Sequence, residues 1–192
     1  MRNFLLIASI AALFSLTTNA QGNFRFGIKG GLNVTNLTSD YFAEHDAKTG
    51  YHFGILSEIT LSDKFSLQPE VLFATQGTDA KVIMLGGGPQ SEKYVLDYIQ
   101  VPILAKIYLI PNLSAEIGPS FNFLVNKNVP AIESDFLNAF EFSGVFGVSY
   151  KIINGLFANI RYNQGLTDVF DKDNYYSASK NSGFQIGMGF IF

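Results

Sequence analysis

From residue 24 onward, bulky apolar residues alternate with small or polar ones at period two, the pattern of strands buried on one face. Phe24, Phe26, Ile28, Leu32 and Val34 oppose Arg25, Gly27, Lys29, Gly31 and Asn33. Over 51–61, Tyr51, Phe53, Ile55 and Ile59 oppose His52, Gly54, Glu58 and Thr60. Over 65–76, Phe65, Leu67, Val71 and Phe73 oppose Ser66, Gln68, Glu70 and Gln76. A fourth run, about 94–109, sets Ile99, Val101, Ile103, Ala105 and Ile107 against Gln100, Leu104 and Lys106. Four more follow, near 113–125, 141–151, 156–163 and 183–192, with Glu116, Glu141, Lys151 and Arg161 on their polar faces. Each run approaches or exceeds the roughly 9–11 residues of a tilted membrane strand.

Between the runs lie tight turns at 62–64, 110–112 and 153–155, and long polar segments at 35–50, 78–93, 127–140 and 167–180. Short connections on one rim and long ones on the other predict an all-β, eight-stranded, antiparallel up-and-down transmembrane barrel. An even strand number places both termini on the short rim, which is periplasmic in such barrels. Pro69, Pro102 and Pro119 fall inside strands, where each removes a ladder donor, and are expected to mark bulges or register shifts.

Two considerations decide which face points outward. An eight-stranded barrel has room inside for little more than side chains. The small Gly, Ser and Asn residues therefore belong inside, and the Phe, Tyr, Ile and Leu residues belong on the lipid side. Nine charged residues fall on the polar face: Arg25, Lys29, Glu58, Glu70, Lys106, Glu116, Glu141, Lys151 and Arg161. The apolar face carries Asp97 alone, near a loop end. A basic group facing lipid at mid-membrane costs about 2–4 kcal/mol, so this partition suits a bilayer. Five basic and four acidic groups inside the barrel are expected to pair, because an unpaired buried charge is costly. The rival arrangement is a soluble carrier barrel with its apolar face turned inward.

The composition agrees. Only 15% of the 192 residues are charged while 47% are hydrophobic, yet mean hydropathy is just +0.19. Residues 1–20 read as a signal peptide, with Arg2, an apolar stretch from Phe4 to Leu16, and Thr18-Asn19-Ala20 before the expected cleavage; residues 21–192 form the barrel domain. Without residues 1–20 the chain holds 12 Lys and Arg against 16 Asp and Glu, a net charge of −4 and no footprint for nucleic acid. The absence of cysteine excludes disulfides, thiolate metal sites and thiol nucleophiles.

Little in the chain suggests catalysis. His45 lies in a loop beside Glu44 and Asp46, and His52 begins a strand on the polar face; neither stands in a recognisable nucleophile motif. Gly86-Gly87-Gly88-Pro89 lacks the strand–loop–helix setting and the lysine of a phosphate loop. Asp168 to Asp173 lacks the glycine and terminal glutamate of a calcium loop and reads as solvated. The expectation is a protein without catalytic residues, cofactor or metal. Tyr41, Phe42, Phe136, Phe140, Tyr175 and Tyr176 in the long segments fit a binding surface, and fit equally a girdle or a cover over the mouth.

Several segments carry a family resemblance. Phe26 to Leu37 (FGIKGGLNVTNL) resembles the opening strand of the PorT-like outer-membrane β-barrel family, and Leu67 to Phe73 (LQPEVLF) is similar to its third strand. Leu96 to Leu104 (LDYIQVPIL) resembles its fourth strand, with Gln100 where that family usually has an acidic residue, and Arg161 to Asp168 (RYNQGLTD) its seventh-strand exit. The resemblance implies a barrel of the Gram-negative outer membrane, loosely called porin-like, with one branch tied to a secretion apparatus and no catalytic residues to carry over. The expected role is display of long extracellular loops for adhesion, envelope integrity or docking to a secretion complex; a narrow channel for small solutes is the alternative. Expected partners are outer-membrane lipid and lipopolysaccharide, the outer-membrane assembly machinery, and a surface ligand or secretion complex. Phe190 and Phe192 resemble the C-terminal strand signal read by that machinery.

Overall fold

A computed structural model describes residues 24–39, 44–83, 89–129, 136–170 and 179–192. The expected signal peptide, with Tyr41, Phe42, Tyr175, Tyr176, Gly86 to Gly88 and residues 171–173, lies outside the described residues. Eight strands follow in order: β1 (Phe24–Ser39), β2 (Glu44–Ser62), β3 (Phe65–Ile83), β4 (Pro89–Ile110), β5 (Leu113–Asn128), β6 (Phe140–Lys151), β7 (Leu156–Gly165) and β8 (Ser179–Ile191). Each pairs antiparallel with the next and β8 pairs with β1, so the sheet closes into a barrel without a free edge. A closed sheet satisfies its own backbone groups, which a bilayer core requires.

Strand parity separates two environments, because side chains one residue apart point to opposite faces. On the outer face Leu32, Phe53 and Ile186 are exposed by 59%, 55% and 56%. Their inward neighbours Asn33, His52 and Gln185 are buried. Outer aromatics pack across strands: Phe146, Tyr162 and Phe184 span β6 to β8, and Phe123 meets Phe140 with ring centroids 5.4 Å apart. An apolar exterior that encircles the molecule belongs in lipid rather than in water.

Three expectations need correction. The segments 35–50 and 78–93 are largely strand, not loop: the β1–β2 and β3–β4 hairpins run on past the apolar band, and position 45 pairs with Ala80 inside β2. Their residues do not alternate between apolar and polar at period two, so the strand signal is absent from the sequence there. Phe140 likewise begins β6. The prolines do not shift register. Pro69 stays opposite Ile103, Pro102 opposite Ser120 and Pro119 opposite Gly144, with only a few neighbouring pairs missing from the ladders. The β4–β5 shifts fall instead between Asp97 and Tyr98 and, at the short turn, between Tyr108 and Ile110. At the first of these Asp97 accepts hydrogen bonds from Thr75 at 2.7 Å and Asn126 at 2.9 Å. Finally, the inner face is less uniformly polar than expected. Leu104 points inward as its parity indicates, and Leu56, Leu72, Val145 and Phe157 join it, buried among the polar side chains.

Candidate functional site

The barrel interior brings together most of the charged residues that the alternation places on the polar face. Lys29, Glu58, Glu70, Lys106, Glu116, Glu141 and Arg161 are all buried; Arg25 and Lys151 lie at the short rim. They reach one another because β1, β6, β7 and β8 turn their odd-numbered residues inward, and β2 to β5 their even-numbered ones.

Arg161 on β7 is the centre of the arrangement. Its Nη1 and Nη2 each donate to one oxygen of Glu70 on β3 at 2.8 Å, and its Nε donates to Glu116 on β5 at 2.6 Å. The planar fork matches a carboxylate bidentately, which a lysine could not do. From there an alternating chain extends both ways. Lys29 lies 3.5 Å from Glu70; Lys106 lies 3.8 Å from Glu116 and 3.0 Å from Glu58, which also pairs with Arg25. Cation and anion thus alternate from mid-barrel to the short rim. Gly147 gives Arg161 its space: a Cβ there would stand 2.8 Å from Arg161 Cγ.

The pairing expected of all nine charges holds for seven of them: Lys29, Glu70, Arg161, Glu116, Lys106, Glu58 and Arg25. Glu141 meets no cation within 4 Å among the described residues. It accepts a hydrogen bond from Asn122 at 3.2 Å instead, beside a cavity of about 10 Å³ lined by Asn163 and Asn181. Lys151 rests over the Tyr108 ring, 4.7 Å from its centroid. His52 bonds through Nδ1 to Asn33 Oδ1 at 2.7 Å, with no serine in the contact.

Two of these contacts cross the lumen. β3 and β7 are four strands apart in a ring of eight, so the Arg161–Glu70 pair spans the barrel's diameter. Gln185 on β8 bonds Gln100 on β4 at 3.0 Å, again between opposite strands.

Towards the long rim the interior turns apolar, which the sequence did not suggest. Leu37, Tyr94, Leu96, Tyr98, Val169 and Phe170 form a buried cluster, with Leu124, Val129, Phe136 and Leu137 packed against it. The described parts of the segments joining β5 to β6 and β7 to β8, residues 136–139 and 166–170, meet at this mouth. Leu137 and Phe170 form a bridge, Asn138 N donates to Val169 O at 2.8 Å, and Asn138 Nδ2 donates to Asp168 O at 2.9 Å. Asp168, from the calcium-like run, receives the Ser179 backbone N–H at 3.2 Å and so fastens this cover. No three potential metal-ligating acids or histidines cluster among the described residues. Of the loop aromatics, Phe136 packs over the mouth and Phe140 faces outward against Phe123. The signal for the cover was present in the inward parity of Tyr94, Leu96 and Tyr98. It was masked because the opposite face of that stretch mixes Val95 and Ile99 with the charged Asp97.

An apolar exterior, a closed ring and an enclosed ionic core define the class of molecule, and the family model for the outer membrane protein beta-barrel domain matches residues 19–171. The chain belongs to that family. Solved outer-membrane barrels share its fold at low identity. Neisserial surface protein A has a TM-score of 0.57 at 13% identity, over 87% of this chain and 97% of that one. Ail, the attachment invasion locus protein of Yersinia pestis, solved with the heparin analogue sucrose octasulfate, gives 0.53 at 9%, over 88% and 99%. OprG from Pseudomonas aeruginosa gives 0.50 at 12%, over 88% and 96%. No curated protein sequence matches this outer-membrane barrel.

Proposed function

We propose that this outer-membrane barrel is a non-enzymatic display scaffold, which presents its long-rim hairpins outside a Gram-negative cell to a surface ligand or a secretion complex. The observation that carries this reading is the filled lumen. Arg161–Glu70 and Gln185–Gln100 cross the diameter, and the apolar cluster around Tyr94, Leu96 and Phe170 covers the mouth. A continuous water path would have to break charge-assisted hydrogen bonds between buried partners, which argues against the narrow-channel alternative. The interior acids serve structure: six of the seven charges in the alternating chain are buried, and His52 is engaged by an asparagine.

The part left to act is the hairpin rim. β2, β3 and β4 run for 19, 19 and 22 residues against 10 for β7, so the β1–β2 and β3–β4 hairpins rise on one side. This lopsided wall suits a docking surface, with backbone held by strand pairing rather than by a loop. In this reading both termini are periplasmic, as the short rim is in related barrels. The PorT-like resemblance favours a secretion complex as the partner, while outer-membrane lipid and lipopolysaccharide surround the apolar band.

Two measurements test the proposal together. Purified protein in planar bilayers should show no unitary conductance, and an epitope inserted after Gly87 should bind antibody on intact cells. Steady single-channel steps, or an epitope reached only after permeabilisation, would overturn it.

A further inference from the structure

The short rim carries a feature that display does not use. Beyond Glu58 the interior opens into a recess of about 430 Å³, lined among others by Arg25, Ser62, Lys64, Ser66, Tyr108 and Lys151. A second recess of about 290 Å³ adjoins it and shares Arg25 and Lys151. Asp63 is the acid that lines the larger recess, against Arg25, Lys64 and Lys151; the residues that line the smaller one include no acid.

The ionic chain ends here with cations in excess. Glu58 already serves Lys106 at 3.0 Å and pairs with Arg25. Lys151 feels the same carboxylate, together with the repulsion of Arg25 and Lys106. No carboxylate oxygen comes within 4 Å of Lys151 or Lys64 among the described residues. Like charges gathered around one carboxylate raise the energy of the mouth unless a further anion enters, and partial exclusion of water strengthens the effect. Arg25 is 42% exposed in its side chain, so it can reach a second partner without leaving Glu58.

We propose that this mouth binds a soluble oxyanion, phosphate or a phosphate monoester, between Arg25, Lys64 and Lys151. The volume falls within the range of about 300–1,000 Å³ typical of small-molecule sites. The Tyr108 ring, already stacked under Lys151, with Ile110 beside it offers a wall for the organic part of an ester. A soluble anion fits better than a lipid headgroup because Arg25, Ser66, Tyr108 and Lys151 point into the lumen. The lipid-facing positions of the same rim are held by Phe65 and Tyr150, which are exposed outward. A phospholipid would have to leave its acyl chains on the far side of the wall.

The test uses the full barrel, residues 21–192, folded in dodecyl maltoside. Amide NMR shifts of Asp63, Lys64 and Asn154 are followed as inorganic phosphate or glycerol 3-phosphate replaces chloride at constant ionic strength. The shifts should saturate in the millimolar range or below. Lys151→Gln and, separately, Lys64→Gln should each weaken binding by about tenfold, a loss of about 1.4 kcal/mol. Lys180→Gln, at the opposite rim, should bind as the parent does. Lys64 sits in an exposed turn, so its variant keeps the test valid should Lys151→Gln fold poorly. Shifts that never saturate, or saturate equally in both rim variants, would refute the site. Saturation found with phosphatidylglycerol in nanodiscs but with neither soluble phosphate would assign the mouth to lipid and overturn the proposal.

Discussion

Removing Arg161 is the sharpest perturbation of the interior. The guanidinium makes three charge-assisted hydrogen bonds, two to Glu70 at 2.8 Å and one to Glu116 at 2.6 Å, and is 1% exposed. At about 1.5–3 kcal/mol for each bond to a charged group, their sum bounds the loss at roughly 5–9 kcal/mol. The bound is not reached, because Lys29 remains 3.5 Å from Glu70 and Lys106 remains 3.8 Å from Glu116. Those two cations keep both acids partly compensated. Arg161→Gln should therefore cost about 3–5 kcal/mol, the usual penalty for stripping one partner from a buried ion pair. Arg161→Lys keeps the charge and loses the fork, so it should cost less, about 1–2 kcal/mol. Urea unfolding of protein inserted in phosphatidylcholine vesicles measures both. The chain has no tryptophan, so far-UV circular dichroism or the gel-mobility shift of the folded barrel reports the transition. Both variants unfolding within about 0.5 kcal/mol of the parent would refute the ionic chain as a structural element.

Other changes probe the two faces and the ends. Ile186→Arg, on the lipid side between Leu32 and Ile160, should destabilise the barrel by about 2–4 kcal/mol in the same unfolding assay. Gly187→Val, one position along, fails for a different reason. Its Cβ would stand 2.8 Å from Asn159 Oδ1 and 3.0 Å from His52 Nε2, and such overpacking should cost about 1–3 kcal/mol. Phe170→Ala should lose about 3–5 kcal/mol by opening the buried cluster, and limited proteolysis should then cut the segments that cover the mouth. Deleting Phe192 should lower the amount of barrel assembled in cells without changing precursor synthesis; unchanged surface abundance would exclude it from the assembly signal.

How far the chain can be read without its fold depends on where each strand sits. Within the apolar band the two faces meet opposite environments, lipid and a narrow polar lumen. Residues such as Ile28–Lys29 and Ile160–Arg161 therefore announce their directions. Beyond the band the strand positions of 35–39, 44–50 and 78–83 leave no alternating trace of apolar and polar residues in the sequence. The cover over the mouth was hidden for a different reason: Tyr94, Leu96 and Tyr98 alternate with Val95, Asp97 and Ile99, so the charge falls on the face that elsewhere is apolar and the parity reads ambiguously. Val169 and Phe170 sit on a connection, where no period applies. The nine charges were legible as a set, but their order was not. Arg161 and Glu70 are 91 positions apart and meet only because the ring closes. Near-equal numbers of acids and bases also concealed that Glu141 stands apart while the short rim keeps surplus cations. Prolines misled because they suggest irregular backbone, whereas the barrel tolerates a missing donor and keeps register through neighbouring pairs.

The central claim is that the aromatic face meets lipid while the charged face is enclosed. Because the chain lacks tryptophan, single replacements give a clean optical report. Phe146→Trp and Phe184→Trp lie on the outer face; Tyr98→Trp and Phe157→Trp lie inside. In bilayers made with brominated phospholipid, fluorescence at 146 and 184 should be strongly quenched, and at 98 and 157 nearly untouched. Quenching at the two inner positions with none at the two outer ones would turn the barrel inside out.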